Sequence, residues 1–229
     1  MATYGATTGG WPNSQLVGPA PLAFEQVRAA IGGRIAIGSH PRIQYAARGT
    51  DVSAYIKEVL DSVAETISTG PEGSVSLKTT LVFDPKVYYI NDDIVFPSSV
   101  TVRHEPGAIL RVAKGKTLTF EGDFISSGDL ISDIVEIADT EEDTDGALVF
   151  NGRFSHPGGQ AFEQTVPNEA APRIAFGVGA VDKVDATWFG MSTATASKAT
   201  NRAYFQSAIN TSAAANVPCY VPSGHYIIE

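Results

Sequence analysis

The sequence predicts a mainly β protein, with short strands in β-helix-like or sandwich-like units, a short N-terminal helical neck and a second helix near the C-terminal end. Three observations carry this expectation. Short alternating runs recur from Ser74 to about Phe176, punctuated by Gly, Pro, Asn and Asp. Leu118-x-Phe120-x-Gly122-x-Phe124 returns 30 residues later as Leu148-x-Phe150-x-Gly152-x-Phe154. Gly and Pro number 22 and 13 among 229 residues, a density that implies many turns.

Composition narrows the function classes. Hydrophobic residues make up 43% of the chain, enough for a packed core. The formal charge of −9 argues against a nucleic acid partner, since phosphate binding needs a basic face. One cysteine excludes an intramolecular disulfide framework and any multi-cysteine zinc site. No apolar run approaches the ~18 to 20 residues of a membrane span, so membrane insertion is not expected. The first residues, MATYGATTGGWPNSQL, have no basic residue and no apolar h-region. A secretory signal peptide needs both.

Residues 1–22 read as an extended arm without a core of its own. Trp11, with Pro12 and Leu16, is the candidate docking element, because a buried Trp anchor explains an aromatic in such an arm. Residues 23–73 read as a helical neck. AFEQVRAAI, residues 23–31, forms a short helix ended by Gly32-Gly33. Arg34–Ile37 and Arg42–Tyr45 alternate around Gly-Ser-His-Pro and predict a small hairpin. Residues 50–68 predict the clearest helix, capped by Thr50 or Asp51 and stopped by Gly70-Pro71. Val52, Ile56, Val59, Val63 and Ile67 approximate the spacing of a coiled-coil seam and are the candidate trimer contacts. Packing on the chain's own core explains the same spacing.

Residues 74–182 read as a β-rich adaptor. Shared parity predicts that Leu118, Phe120 and Phe124 face one side of a strand. Stacked repeats of this kind make a solenoid or β-helix, with a sandwich as the competing reading. Residues 183–229 hold one helix and then one or two strands. Thr200 or Asn201 can cap that helix. Phe205, Ala208, Ile209, Ser212 and Ala213 fall on one face, and Asn216 can end it. Cys219–Val221, a Pro-Ser-Gly turn and His225–Glu229 read as strand, turn, strand. The chain stops inside that last strand, so a longer protein is expected.

The C-terminal motifs resemble the lead-in of the pectate-lyase-like right-handed β-helix proteins. They are Trp188-Phe189-Gly190, then Ala203-Tyr204-Phe205-Gln206-Ser207-Ala208-Ile209, then Tyr220-Val221-Pro222-Ser223-Gly224-His225-Tyr226. In that family the helix caps the open end of the β-helix. The family's loop is often Asp-rich, whereas MSTATASKATN carries no acid, a departure that counts against calcium or acid chemistry there but not against the fold. Residues 80–126 also look like β-helix coils, and VFDPKVYYI parallels YVPSGHYII. Together with the arm and neck, the chain resembles the front end of a bacteriophage tailspike or tail fibre. The resemblance implies a homotrimer attached to a phage tail, baseplate or adaptor protein. It implies a virion location, synthesis in the host cytoplasm and release by lysis. Host surface polysaccharide would bind through the region after Glu229. The alternative is the non-catalytic head of a polysaccharide lyase or hydrolase whose active site also lies after residue 229. A secreted carbohydrate-binding module is the third reading, and the missing signal peptide counts against it.

No cofactor, metal or catalytic residue is expected within residues 1–229. Glu141-x-Asp143-x-Asp145-Gly146 mimics half a calcium loop, but Gly152 stands where the bidentate Glu belongs. His40, His104, His156 and His225 make no metal spacing. His40, His156 and His225 sit beside Pro or Gly, which predicts surface positions. No G-x-S-x-G elbow, Walker A or complete G-x-G-x-x-G is present. Cys219 reads as buried and inert.

Overall fold

A computed structural model describes residues 33–47, 49–68, 79–113, 115–126, 146–162, 173–193 and 198–228. The protein is mainly β and contains several parallel sheets. β1 (Arg34–Ala36) leads through a 3-10 turn (Ile37–Ser39) and a single helical turn (Pro41–Gln44) to helix α1 (Ser53–Ser68). Then come β2 (Thr79–Phe83), β3 (Val87–Ile90), β4 (Ile94–Phe96), β5 (Val100–His104), β6 (Ile109–Val112) and β7 (Thr117–Phe120). β8 (Phe124–Ser126), β9 (Ala147–Phe150), β10 (Phe154–Ser155), β11 (Ile174–Phe176) and β12 (Val184–Asp185) follow. A second 3-10 turn (Ala186–Phe189), helix α2 (Lys198–Ala215) and β13 (Cys219–Tyr220) complete the described chain.

The strands assort by rotation. Sheet I is β1-β2-β5-β8-β10, sheet II is β3-β6, and sheet III is β4-β7-β9-β11. The chain visits I, II and III through β2, β3 and β4, then again through β5, β6 and β7. Each visit lays a strand parallel to, and in register with, its predecessor: Leu81 on Val102, Tyr88 on Leu110, Phe96 on Phe120. Alternation within each short strand sends one side inward and the other out. Thus Val100, Val102 and His104 are buried while Thr101 and Arg103 are not.

The 30-residue repeat is a register. Leu118 pairs with Leu148 and Phe120 with Phe150 in sheet III, while Phe124 pairs with Phe154 in sheet I. The expected single strand face for Leu118, Phe120 and Phe124 is corrected here. A corner at Gly122 separates β7 from β8, and all three side chains reach the interior from two sheets. The corner requires glycine, because a Cβ on Gly122 would lie 1.9 Å from the Val100 carbonyl oxygen, and one on Gly152 at the next corner 2.2 Å from the Gly122 carbonyl oxygen. Inside, the register stacks rings: Phe96 on Phe120 at 4.8 Å, Phe120 on Phe150 at 5.1 Å and Phe150 on Phe176 at 5.5 Å. Phe124 and Phe154 meet this column edge-on or tilted, at 4.8 Å and 4.7 Å. Such pairs add about 0.5–1.5 kcal/mol each beyond the area they bury.

The predicted hairpin at 34–45 does not form. Ile35 pairs in parallel with Leu81, and Pro41–Gln44 is helical. Pro41 sits at the first helical position, where it lacks no needed donor. Lys86 Nζ reaches back to the Ile43 and Gln44 carbonyls and so satisfies that turn's C-terminal end.

Helix α1 starts at Ser53, whose N–H and hydroxyl both donate to Asp51 Oδ1, at 2.9 and 2.5 Å. Asp51 is therefore the capping acid. Of the seam candidates, Val52, Ile56, Val59 and Val63 are at most 2% exposed and join the core that holds Ile35, Leu81 and Ile90. That corrects the trimer-seam reading for these four: their faces are filled by their own chain. The Ile67 side chain lies outside the described residues. The neck and the adaptor share one core, because Ile35, Val63, Phe120 and Phe176 belong to the same packed cluster.

Candidate functional site

The C-terminal segment from Val184 onward is built onto the end of this stack. Asp185 Oδ1 accepts from the Thr187 N–H at 2.9 Å and its hydroxyl at 2.7 Å, which starts the 3-10 turn. Gly190 ends that turn at φ 98°, a left-handed geometry that favours glycine. A Cβ there would also crowd Gln160 and Tyr204, each at 3.0 Å. Between these two points the turn drives Trp188 against Phe154 at 5.1 Å and Phe189 against Phe162 at 5.4 Å. The two aromatics extend the ring column and close it.

Helix α2 lies over that end. Its inward side chains are small: Ser207, Ala208, Thr211 and Ser212 are all buried. The predicted face is corrected in part. Ala208 and Ser212 are inward and Phe205 is half-buried, but Ile209 is 36% exposed and Ala213 is exposed. Asn201 does not sit at the N-cap, since the helix begins at Lys198. Its buried amide donates to the Ser192 carbonyl at 3.0 Å and the Ile227 carbonyl at 3.3 Å, and accepts from the Ser192 N–H at 3.2 Å. One side chain thereby fixes both the loop before α2 and the segment after it. Asn216 ends the helix at φ 54°, as expected.

β13 runs parallel to β12, Cys219 opposite Val184. Pro222 and Tyr226 are half-buried. Gly224 lies so close to Thr193 that a Cβ would come within 2.7 Å of its methyl group. Lys183 Nζ sits 3.5 Å over the Tyr220 ring. The motif residues Trp188, Phe189, Gly190, Phe205, Gly224 and Tyr226 lie within this C-terminal segment, while Ile209 is 36% exposed on α2. The docking candidates Trp11, Pro12 and Leu16 lie outside the described residues, as does the acidic run from Asp139 to Asp145.

The histidines are mostly interior. His40 is 1% exposed, which corrects the surface expectation; it stacks on Tyr55 at 5.7 Å and lies 3.7 Å from Glu58. Burial lowers its pKa. His104 is also buried, with Nε2 2.8 Å from the Ala108 carbonyl oxygen, and burial lowers its pKa to about 4. His156 is half-buried and shifted down by the same cause, whereas His225 is exposed. All three shifts favour neutral rings that pack rather than titrate near pH 7. Cys219 is half-buried, and desolvation pushes its thiol up, away from the reactive thiolate.

Two open clefts flank the segment. One, of about 520 Å³, is lined by Arg153, His156, Asp182, Lys183 and Trp188 among others. The other, of about 420 Å³, lies between Gln160, Met191, Thr193 and Tyr226. Among the described residues no three His, Cys, Asp or Glu side chains gather into a group that could hold a metal ion. None of the described helices is long and apolar enough to cross a membrane. The chemistry of this segment is closure: it ends one stack and presents a new strand beside it. No protein-family model, no curated protein and no solved structure matches this chain.

Proposed function

We propose that this chain is the virion-proximal part of a homotrimeric phage tailspike or tail fibre. On this reading the rotating strands are coils of a right-handed β-helix, and α2 caps a second β-helix that continues beyond the segment. Residues 1–22 dock to the tail, and the downstream region meets the host glycan. The reading makes this chain a structural support rather than an enzyme.

One observation carries it. The surface beyond α2 is apolar and exposed: Ile209 at 36%, Tyr220 at 41%, Val221 at 36%, Ile227 at 48% and Ile228 at 43%. Scattered exposed aliphatics are ordinary, but two exposed pairs, Tyr220-Val221 and Ile227-Ile228, on and just after a short terminal strand call for a cover. Among the described residues β13 pairs only with β12, which leaves its other side able to accept a further parallel strand. A following coil supplies both the strand and the cover.

The test is immunogold electron microscopy of phage particles that carry the gene, with antibodies raised against this chain. Labelling confined to the tail end is expected. Particles that remain unlabelled, in preparations where a tail protein control is decorated, would overturn the virion assignment. Cleavage of a capsular polysaccharide by this chain alone would overturn its purely structural role.

A further inference from the structure

The corner between sheet III and sheet I recurs along the stack, and on one coil it carries a chemically reactive pair. Asn151-Gly152 is the single Asn-Gly sequence in the chain, and it directly follows β9. Glycine has no side chain to block its own backbone nitrogen, so that nitrogen can reach the side-chain carbonyl carbon of the asparagine before it. Asn151 is also exposed, so water reaches it.

The folded corner restrains every group that would react. Asn151 Nδ2 donates to Glu121 Oε1 at 2.9 Å, on the coil before. Asn151 Oδ1 lies under Gly177 on the coil after, where an added Cβ would come within 2.8 Å of it. The amide is therefore held at both ends by its neighbours in the stack. The nucleophile is engaged as well, since the Gly152 N–H donates to the Phe120 carbonyl at 3.1 Å. The backbone has no slack either: a Cβ on Gly152 would lie 2.2 Å from the Gly122 carbonyl oxygen.

We propose that Asn151 is a covalent modification site, at which deamidation is gated by opening of this corner. In the open corner the Gly152 nitrogen bonds to Asn151 Cγ. The Cγ–Nδ2 bond breaks, and Nδ2 leaves as ammonia with the proton from Gly152. Water then opens the cyclic imide at either carbonyl, giving aspartate or isoaspartate at position 151. Both products replace the donor that faced Glu121 with a carboxylate, so like charges oppose closure of the corner. Isoaspartate also adds a methylene to the backbone where Gly152 and Gly122 leave no room for one. The reaction is thus a one-way mark of a corner that has opened. The inference is independent of the virion reading.

The experiment is mass spectrometry on the full chain aged in mildly alkaline buffer, with and without denaturing urea. Trypsin releases residues 117–153 as one peptide, and Asn151 is its single side-chain amide, so the mass gain of an amide-to-acid change locates the site. Deamidation is expected to be at least tenfold slower in buffer than in urea. Glu121→Ala, which releases Nδ2, should deamidate several-fold faster than the native chain in buffer and at the native rate in urea. Circular dichroism verifies that the variant is folded. Glu121→Gln, which exchanges a charge-assisted bond for a weaker neutral one, serves if Glu121→Ala does not fold. A peptide that stays unmodified in urea overturns the site. Equal rates in buffer and in urea overturn the gate, and a folded variant that ages in buffer at the native rate overturns the hold by Glu121.

Discussion

Residues 34–90 and residues 184–228 follow one plan. Each starts with a strand, passes through a 3-10 turn and a helix, and returns with a strand parallel to the first. Leu81 lies opposite Ile35 as Cys219 lies opposite Val184. A turn and a Tyr-x-Ile follow in both: Tyr88 to Ile90, and Tyr226 to Ile228. The two helices differ in what they bury. α1 contributes Val52, Ile56, Val59 and Val63 to the core, whereas α2 buries Asn201, Ser207, Ala208, Thr211 and Ser212. A face of small side chains lets a helix lie close over a stack already closed by Trp188 and Phe189. A face of aliphatic side chains fills a core that is still being built. The second difference is cover. Tyr88 and Ile90 are 0% exposed beneath β6, while Ile228 is 43% exposed. The same local plan therefore yields a sealed segment or an open one, according to whether another pair of strands is laid on it.

The sharpest way to break this comparison is to truncate the sealed member. Ile90→Ala should destabilise the protein by about 2–5 kcal/mol, the range for deleting a fully buried aliphatic side chain. Urea denaturation followed by circular dichroism gives the value, with the m-value checked for constancy. A loss below about 1 kcal/mol would show that the first segment is no better covered than the second.

Acid acts on the stack that lies between the two segments. His104 belongs to the stack, and its folded pKa of about 4 lies below the ordinary 6.5. Above pH 6.5 the ring is neutral in both folded and unfolded chains, and its burial has no protonation cost. Between pH 6.5 and about 4 the unfolded chain binds a proton that the folded one does not. Stability therefore falls as pH falls through that window, by roughly 3 kcal/mol for a shift of this size. His40 and His156, also shifted down, act in the same direction. His104→Leu should flatten the slope of stability against pH between 6.5 and 4, measured as the urea midpoint at each pH. An unchanged slope would remove His104 as its source.

Much of the fold is legible in the sequence because alternation survives even in strands of three or four residues. The runs around Val100, Ile109 and Thr117 are strands as the pattern predicts. The repeat of Leu118 and Phe120 at Leu148 and Phe150 marks the register directly. What alternation does not encode is where a strand's partner lies. The segment 34–45 reads as a hairpin since nothing local reveals that Leu81 pairs with Ile35 or that Lys86 holds the Pro41–Gln44 turn. Helix spacing has the same blindness. Val52, Ile56, Val59 and Val63 satisfy a seam between chains and a core within one equally well. On α2 the pattern of apolar residues selects Ile209, while the packed face is chosen by size, and Ala, Ser and Thr give no periodic signal. Asn201 near a helix start suggests a cap; its actual partners, Ser192 and Ile227, lie 9 positions before and 26 after it.

The smallest effect is expected at the open member. Ile228 is the counterpart of Ile90, with the same Tyr two residues before it and the same place after the parallel strand. Its side chain is 43% exposed, so Ile228→Ala removes only partly desolvated methyl groups. The change should stay within about 0.5 kcal/mol, as for surface substitutions without a special partner. The urea midpoint measures it beside Ile90→Ala under identical conditions. A loss of 2 kcal/mol or more would mean that this segment is already covered in solution. If a further coil is what covers the surface, the same substitution in a protein that carries one should cost what Ile90→Ala costs, because burial and not sequence separates the two isoleucines.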